Sequence, residues 1–360
     1  MLKYFGKQYD YTELNKRVAN FSQLAGARRF IFNSGKSKGV EAVDVRTGSG
    51  LTYIVLLDRG FDIAWAEYKG VPLSYISGTG VVSPAHYEPE NEEWLRSFCG
   101  GLLTTCGLTQ VGNPCEFNGV SNGLHGRISN IPADNICLEE QWDGNDYVIS
   151  LKGQVRQVKS CVENMIMHRT IKSFAGKNKI VVEDTIENKG YTRQPFMILY
   201  HCNLGFPLLN ENSAIIIPNR RISSMFKDKE FDIPNYGNVE APMDYYEERV
   251  FYFDTLQDDS GYSYACILNN KHFPTLALKI KYNKDILDNL VQWKQLTKGD
   301  YVIGIEPCNN HILGIKHQYE NNSLKYLNPL EKVKTYLEFE VFDDKNDIDN
   351  LIETTKRLSD

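Results

Sequence analysis

The sequence predicts an all-β protein: a large antiparallel β-sandwich with a few short peripheral helices, with residues 1–360 forming one domain. Three observations carry that expectation. Short β-branched and aromatic runs recur along most of the chain, punctuated by Gly, Asn and Asp turn signals. Their side chains alternate with period two rather than 3.6. Aromatic residues are plentiful, with 21 Tyr, 17 Phe and 4 Trp, which suits pleated sheet and also suits sites that stack on flat ligand faces. At 360 residues the chain exceeds an average domain, but β-sandwiches reach such lengths as single units.

Taken in order, a short helix is expected near Thr12 to Val18, followed by strands. Gly39 to Arg46 and Thr52 to Leu57 flank Thr47-Gly48-Ser49-Gly50, the composition of a tight hairpin turn. Further strands are expected at 135–140, 147–154, 165–173, 179–187, 196–200, 214–218, 263–268, 275–282, 301–305 and 335–341. The run 178–190, closing on Asn188-Lys189-Gly190, shows the pattern plainly: an extended segment with two alternating faces and a turn at its end. Two helical segments interrupt the β pattern, Glu92 to Phe98 and Asp347 to Leu358, and both read as peripheral. The longest irregular zone, about Lys227 to Glu248, has the length of a loop that covers a site.

Hydrophobic residues make up 42% and charged residues 24%, so the chain can bury a large core and is not a disordered polymer. The net charge of -6 and a sequence pI of about 5.7 argue against nucleic acid and anionic membranes, both of which reward excess Lys and Arg. The segment Met1-Leu2-Lys3-Tyr4-Phe5-Gly6 carries no long apolar region, and no stretch approaches bilayer length. A cytoplasmic protein is therefore expected, as monomer or homodimer. None of the eight cysteines forms a C-x-x-C pair, so reduced thiols acting as small apolar residues are expected.

Three stretches stand out chemically. Tyr301-Val302-Ile303-Gly304-Ile305-Glu306-Pro307 places a lone carboxylate at the end of an apolar run. Because Pro307 lacks a backbone donor, the strand is expected to stop there, leaving Glu306 at its mouth. A buried carboxylate is either paired for structural reasons or a general base. In Ser121-Asn122-Gly123-Leu124-His125-Gly126-Arg127, glycines on both sides leave the His125 imidazole unshielded. Arg127 would project to the same side of an extended segment, and together the two could bind an oxygen-rich or anionic ligand. In Phe196-Met197-Ile198-Leu199-Tyr200-His201-Cys202-Asn203-Leu204-Gly205, alternation puts His201 and Asn203 on one face and Cys202 on the other. Each histidine also has an ordinary reading as a hydrogen-bonded structural residue.

Gly-Leu-His-Gly, Tyr-His-Cys-Asn-Leu-Gly and Gly-Ile-Glu-Pro, in that order, resemble the aldose 1-epimerases, or galactose mutarotases. The likeness runs from about Val40 to Val341. It is nearest to a less characterised branch, through Leu57-Asp58-Arg59-Gly60-Phe61-Asp62-Ile63, Gly100-Gly101-Leu102-Leu103-Thr104-Thr105-Cys106-Gly107-Leu108 and Gln292-Trp293. Two departures are visible: Arg127 replaces the second glycine of the usual His-Gly-Gly, and Cys202 alone stands where Tyr-Phe usually follows the second histidine.

The resemblance implies the galactose mutarotase supersandwich and a monosaccharide substrate, an aldose or a sugar acid, whose anomers interconvert by ring opening. It implies Glu306 as base on the C1 hydroxyl, His201 as acid at the ring oxygen and His125 as a hydrogen-bonding partner on the ring-oxygen side. Arg59 and Arg127 would bind hydroxyls or a carboxylate or phosphate, with Asn203, Trp293 and Glu248 as further sugar contacts; Asp244 and Glu247 fall in the same acidic stretch as Glu248. No metal or organic cofactor is needed for such chemistry. Cys106, Cys202 and Cys308 lie beside the motifs, but the short paired spacings of zinc ligands are missing. The alternatives are a non-catalytic carbohydrate-binding or regulatory protein on the same scaffold, and a sugar lyase or glycoside hydrolase with a different acid/base set.

Overall fold

The computed structural model describes residues 2–4, 7–269 and 275–359. Three antiparallel sheets organise them. The largest has eight strands, in the order 133–143, 146–159, 163–174, 179–188, 332–342, 276–283, 262–269 and 214–216. A six-stranded sheet runs in the order 219–224, 249–255, 289–297, 300–308, 197–204 and 104–108. A five-stranded sheet is formed by 26–31, 41–46, 51–56, 62–68 and 71–72.

The period-two pattern decides how these sheets pack. In the strand Met197–Leu204, Ile198, Tyr200, Cys202 and Leu204 enter the main apolar cluster, which also takes Met167, Ile180, Leu337 and Phe339 from the eight-stranded sheet. Ile303 and Ile305 of the neighbouring strand join them. The six-stranded sheet therefore turns one face to the main core. Its other face carries a second cluster, with Met197, Leu199, Val250, Tyr252, Val291 and Cys308.

Between the sheets lies a buried polar knot centred on Arg169. Its guanidinium donates to both carboxylate oxygens of Asp184, at 2.9 and 2.6 Å, to Asp62 Oδ1 at 2.6 Å and to Thr105 Oγ1 at 2.8 Å. The Tyr200 hydroxyl donates to Asp184 Oδ2 at 2.7 Å, and the Thr105 amide donates to Asp62 Oδ2 at 2.8 Å. The Leu-Asp-Arg-Gly-Phe-Asp stretch is thus a structural corner. Asp58 accepts from the Glu41 amide at 2.7 Å, Asp62 joins the knot, and Arg59 donates to the carbonyls of Ser129, Val82 and Ser97.

Most expected strands are present, several of them longer than the sequence indicates. Two expectations are corrected. The strand containing Glu306 runs from Asp300 through Cys308, so Pro307 does not end it and Glu306 lies inside the sheet. Glu92 to Phe98 forms a 3-10 turn, Glu93–Ser97, and it is not peripheral: Trp94 and Phe98 are buried in the second cluster. The C-terminal helix, Lys345–Ser359, does pack on the outside, placing Ile348 and Leu351 against Tyr264, Cys266 and Ala277.

Candidate active site

Glu306 and His201 meet because they are cross-strand neighbours. The two strands pair with Leu199 opposite Cys308 and Cys202 opposite Ile305, a register that puts Tyr200 opposite Pro307 and His201 opposite Glu306. Pro307 has no amide hydrogen to give, so the ladder opens there. Directly opposed side chains on one face of a sheet lie within contact distance, and His201 Nε2 stands 3.1 Å from Glu306 Oε1. The same row extends through Val291 to Tyr252 on one side and to Thr104 on the other.

Gly304 makes room for the carboxylate. A methyl group there would lie 2.4 Å from Glu306 Oε1 and 3.2 Å from His201 Cε1. The Gly-Ile-Glu spacing therefore lets the Glu306 side chain fold back over position 304 toward the imidazole.

His125 arrives from a loop instead of a strand. Its backbone is left-handed, with φ at 57°, a conformation in which histidine is over-represented among non-glycine residues. Gly126 follows at φ 73°, where any side chain would strike the carbonyls of Gly107 and Gln110. The Gly107 amide donates to the His125 carbonyl and the Arg127 amide donates to the Gly107 carbonyl, pinning the loop to the edge of the site sheet. The His125 ring then faces that of His201 edge-on, with centroids 5.8 Å apart.

Aromatic walls enclose these groups. Trp94 lies 4.9 Å from His125, Phe98 lies 5.4 Å from His201, and Trp293 lies 5.6 Å from His201. Trp293 Nε1 donates to Glu248 Oε2 at 3.0 Å. Alternation explains how the irregular zone is tied down beside Trp293: its neighbours Gln292 and Lys294 point to the opposite face and donate to the carbonyls of Tyr236 and Asn238. Among the three acidic candidates, Glu248 is the one brought to the site; Asp244 and Glu247 pair with Lys298 and Lys229.

Burial controls the electrostatics. Glu306 is 1% exposed and His201 5%. Burial pushes the Glu306 carboxyl well above its ordinary 4.5, and negative Glu248 adds to the effect. Burial pulls His201 down to about 3; nearby His125 adds to that, and the Asn203 amide opposes it. Burial alone lowers His125 to about 4. At 3.1 Å the Glu306 and His201 groups are close enough to share one proton. Burial favours the uncharged arrangement, with carboxylic acid beside neutral imidazole.

The 3.1 Å approach does not have hydrogen-bond geometry, and Glu306 Oε1, the Nδ1 atoms of both histidines and Asn203 Oδ1 are buried without hydrogen-bond partners. Buried polar atoms are nearly always satisfied. Four such atoms on the residues of this cluster make it a candidate site for a polar ligand. Asn203 lies beside His201, its Nδ2 donating to the carbonyls of Gly101 and His201.

Arg59 and Arg127 are not brought to this cluster. Arg59 is buried, held by three carbonyls, and lines only a void of about 10 Å³, too small for a sugar. Arg127 lines a groove whose lining includes Gly123 and Gly126 but not Glu306, His201 or His125. The expectation that they bind substrate beside Glu306 is corrected on those grounds. Conversely, Trp94 and Phe98 were legible only as two aromatic residues four apart in a charged stretch. Tyr252 carried no signal at all; it lies in the same row as Glu306 and His201, its ring stacked on His311 at 4.4 Å.

The fold has clear relatives among solved structures. A Klebsiella pneumoniae protein provisionally described as an aldose 1-epimerase superposes with a TM-score of 0.89 at 22% identity, over 95% of this chain and 91% of that one. A galactose mutarotase-like protein from Clostridium acetobutylicum matches at 0.61 and 13%, over 89% of this chain and 100% of its own. The galactose 1-epimerase of Lactobacillus acidophilus matches at 0.56 and 14%, over 89% and 99%. At these identities the likeness establishes a galactose mutarotase-like fold and nothing finer. No curated protein matches the chain. A family model matches residues 37–341, and the chain belongs to that family, described as Domain of unknown function (DUF4432).

Proposed function

We propose that the protein is an epimerase acting at the anomeric carbon of an aldose, opening and reclosing the sugar ring by proton transfer between Glu306 and His201. The observation that carries this reading is the 3.1 Å approach of two buried, oppositely perturbed titratable groups inside an aromatic enclosure. Ring opening needs one group to take the proton of the C1 hydroxyl and another to give a proton to the ring oxygen. Closure on the other face reverses the transfers. A pair that shares one proton supplies both functions: with the proton on His201, Glu306 is the base and His201 the acid.

Burial holds the resting proton on Glu306. Hydroxyls of a bound sugar, donating to the orphaned Glu306 oxygen, would favour the carboxylate and shift the proton to His201. His125, neutral and adjacent, would hydrogen-bond on the ring-oxygen side. Trp293, Trp94 and Phe98 suit the C–H faces of a pyranose, and Glu248 and Asn203 suit its hydroxyls. The groups gathered here include no guanidinium or ammonium, and Glu248 and Glu306 disfavour a second negative charge. A neutral aldose therefore fits better than a sugar acid.

The test is polarimetry on freshly dissolved single anomers of neutral aldoses and of uronic acids. Accelerated relaxation for at least one neutral aldose is expected; binding without any acceleration would leave a carbohydrate-binding protein instead. Gly304→Ala offers a finer check. The added methyl displaces the carboxylate from its seat, so the rate should fall on the order of 10²-fold through misplacement of the base. The circular dichroism spectrum should stay that of the parent.

A further inference from the structure

Beside the His125 loop lies a cavity of about 770 Å³, within the size range of small-molecule sites. It is bounded by the strand Asp146–Lys159, the hairpin Cys115–Phe117 and Val120–Asn122, and the segment from Gly126 to Ile131. Arg127, Arg156 and Lys159 line it. The Arg127 guanidinium and the Lys159 ammonium have no hydrogen bond or ion pair among the described residues, and Arg156 has only a distant one, 3.9 Å from Asp134.

Glu163 is the acid facing them. It is partly buried, burial raises its pKa, and Arg127 and Lys159 oppose that rise. The cavity wall therefore stays positive in a chain that is negative overall.

Two further features point to a ligand. Asn130 is 5% exposed and lines the cavity, yet its Oδ1 has no partner, while its Nδ2 donates to Ser129 Oγ. Around the same cavity Val120, Val158 and Val162 are 48%, 50% and 55% exposed, and Phe117 also lines it. Apolar side chains beside converging cations match a molecule with an apolar or flat body and an anionic end.

We infer that this cavity is a binding site, distinct from the Glu306 cluster, for a small phosphate-bearing molecule whose charged end sits between Arg127 and Lys159. A phosphate takes donors from a planar guanidinium and a point-like ammonium together. Its flat or apolar body lies on the valines and Phe117. The loop that presents Arg127 to this ligand also presents His125 to the Glu306 pocket, so the two sites share one wall.

Calorimetric titration of the full chain tests the assignment, with adenosine monophosphate, inorganic phosphate and adenosine as probes. The nucleotide should bind, with inorganic phosphate weaker and adenosine weakest. Added salt should weaken the nucleotide. The double variant Arg127→Ala/Lys159→Ala should lose at least tenfold in affinity, and Glu306→Gln should bind as the parent does. Absence of heat with all three probes, equal binding of adenosine and its monophosphate, full affinity in the double variant, or loss of binding in Glu306→Gln would each overturn it. The last outcome would move the anion into the Glu306 pocket, and none of the four bears on anomer exchange.

Discussion

Glu306→Gln should abolish catalysed anomer exchange, lowering the rate on the order of 10²–10⁴-fold, while making the protein more stable at neutral pH. The two effects share one cause. Burial raises the folded-state pKa of Glu306 above 4.5, so the folded protein holds this proton more tightly than the unfolded chain. Such a group favours the folded state below pH 4.5, and that advantage is lost as pH rises toward the folded pKa. Gln cannot ionise and escapes that loss. Its unfolding midpoint should exceed the parent's at pH 7 and above, and approach it at pH 4. A residue kept for stability alone would show the reverse, with destabilisation at neutral pH. Denaturant unfolding at the two pH values, run beside the exchange assay, separates the cases.

Arg169→Met should cause the largest loss of stability. The side chain is 1% exposed, and its removal strands Asp184 and Asp62 in the interior without their cation. Breaking a buried ion pair by removing one partner costs about 3–5 kcal/mol. Here two carboxylates, the Thr105 hydroxyl and the link between sheets are affected together. The triple variant Arg169→Met/Asp62→Asn/Asp184→Asn removes the stranded charges and should recover much of the lost stability. A single variant with an unchanged urea midpoint would show that the knot contributes little.

Much of the site was legible in the sequence because strand alternation is a local property. His201 facing away from Cys202, and Glu306 in step with Gly304, follow from period two alone. Register is not local. That His201 falls opposite Glu306 depends on how two strands about 100 residues apart align, which no motif encodes. Pro307 misled for a related reason: a missing donor reads as a strand end, whereas here it sits inside the sheet beside the Glu306–His201 pair.

Arg59 and Arg127 misled differently. Their charge suggested a ligand, but Arg59 is held by three carbonyls, and Arg127, after the left-handed residues His125 and Gly126, lines a cavity that Glu306 does not. The aromatic walls were hidden because Glu92 to Phe98 reads as a peripheral helix, whereas Trp94 and Phe98 are buried in the second cluster by contacts with residues far away in the chain.

Two-dimensional exchange NMR on an equilibrated aldose, recorded across pH, tests the shared proton most directly. Exchange cross-peaks between α and β anomers should strengthen with the protein. Their rate should fall as pH drops toward about 3, where His201 also takes a proton and the pair holds two. Cross-peaks no stronger than in buffer, or a rate that does not fall on the approach to pH 3, would contradict proton transfer between these two residues.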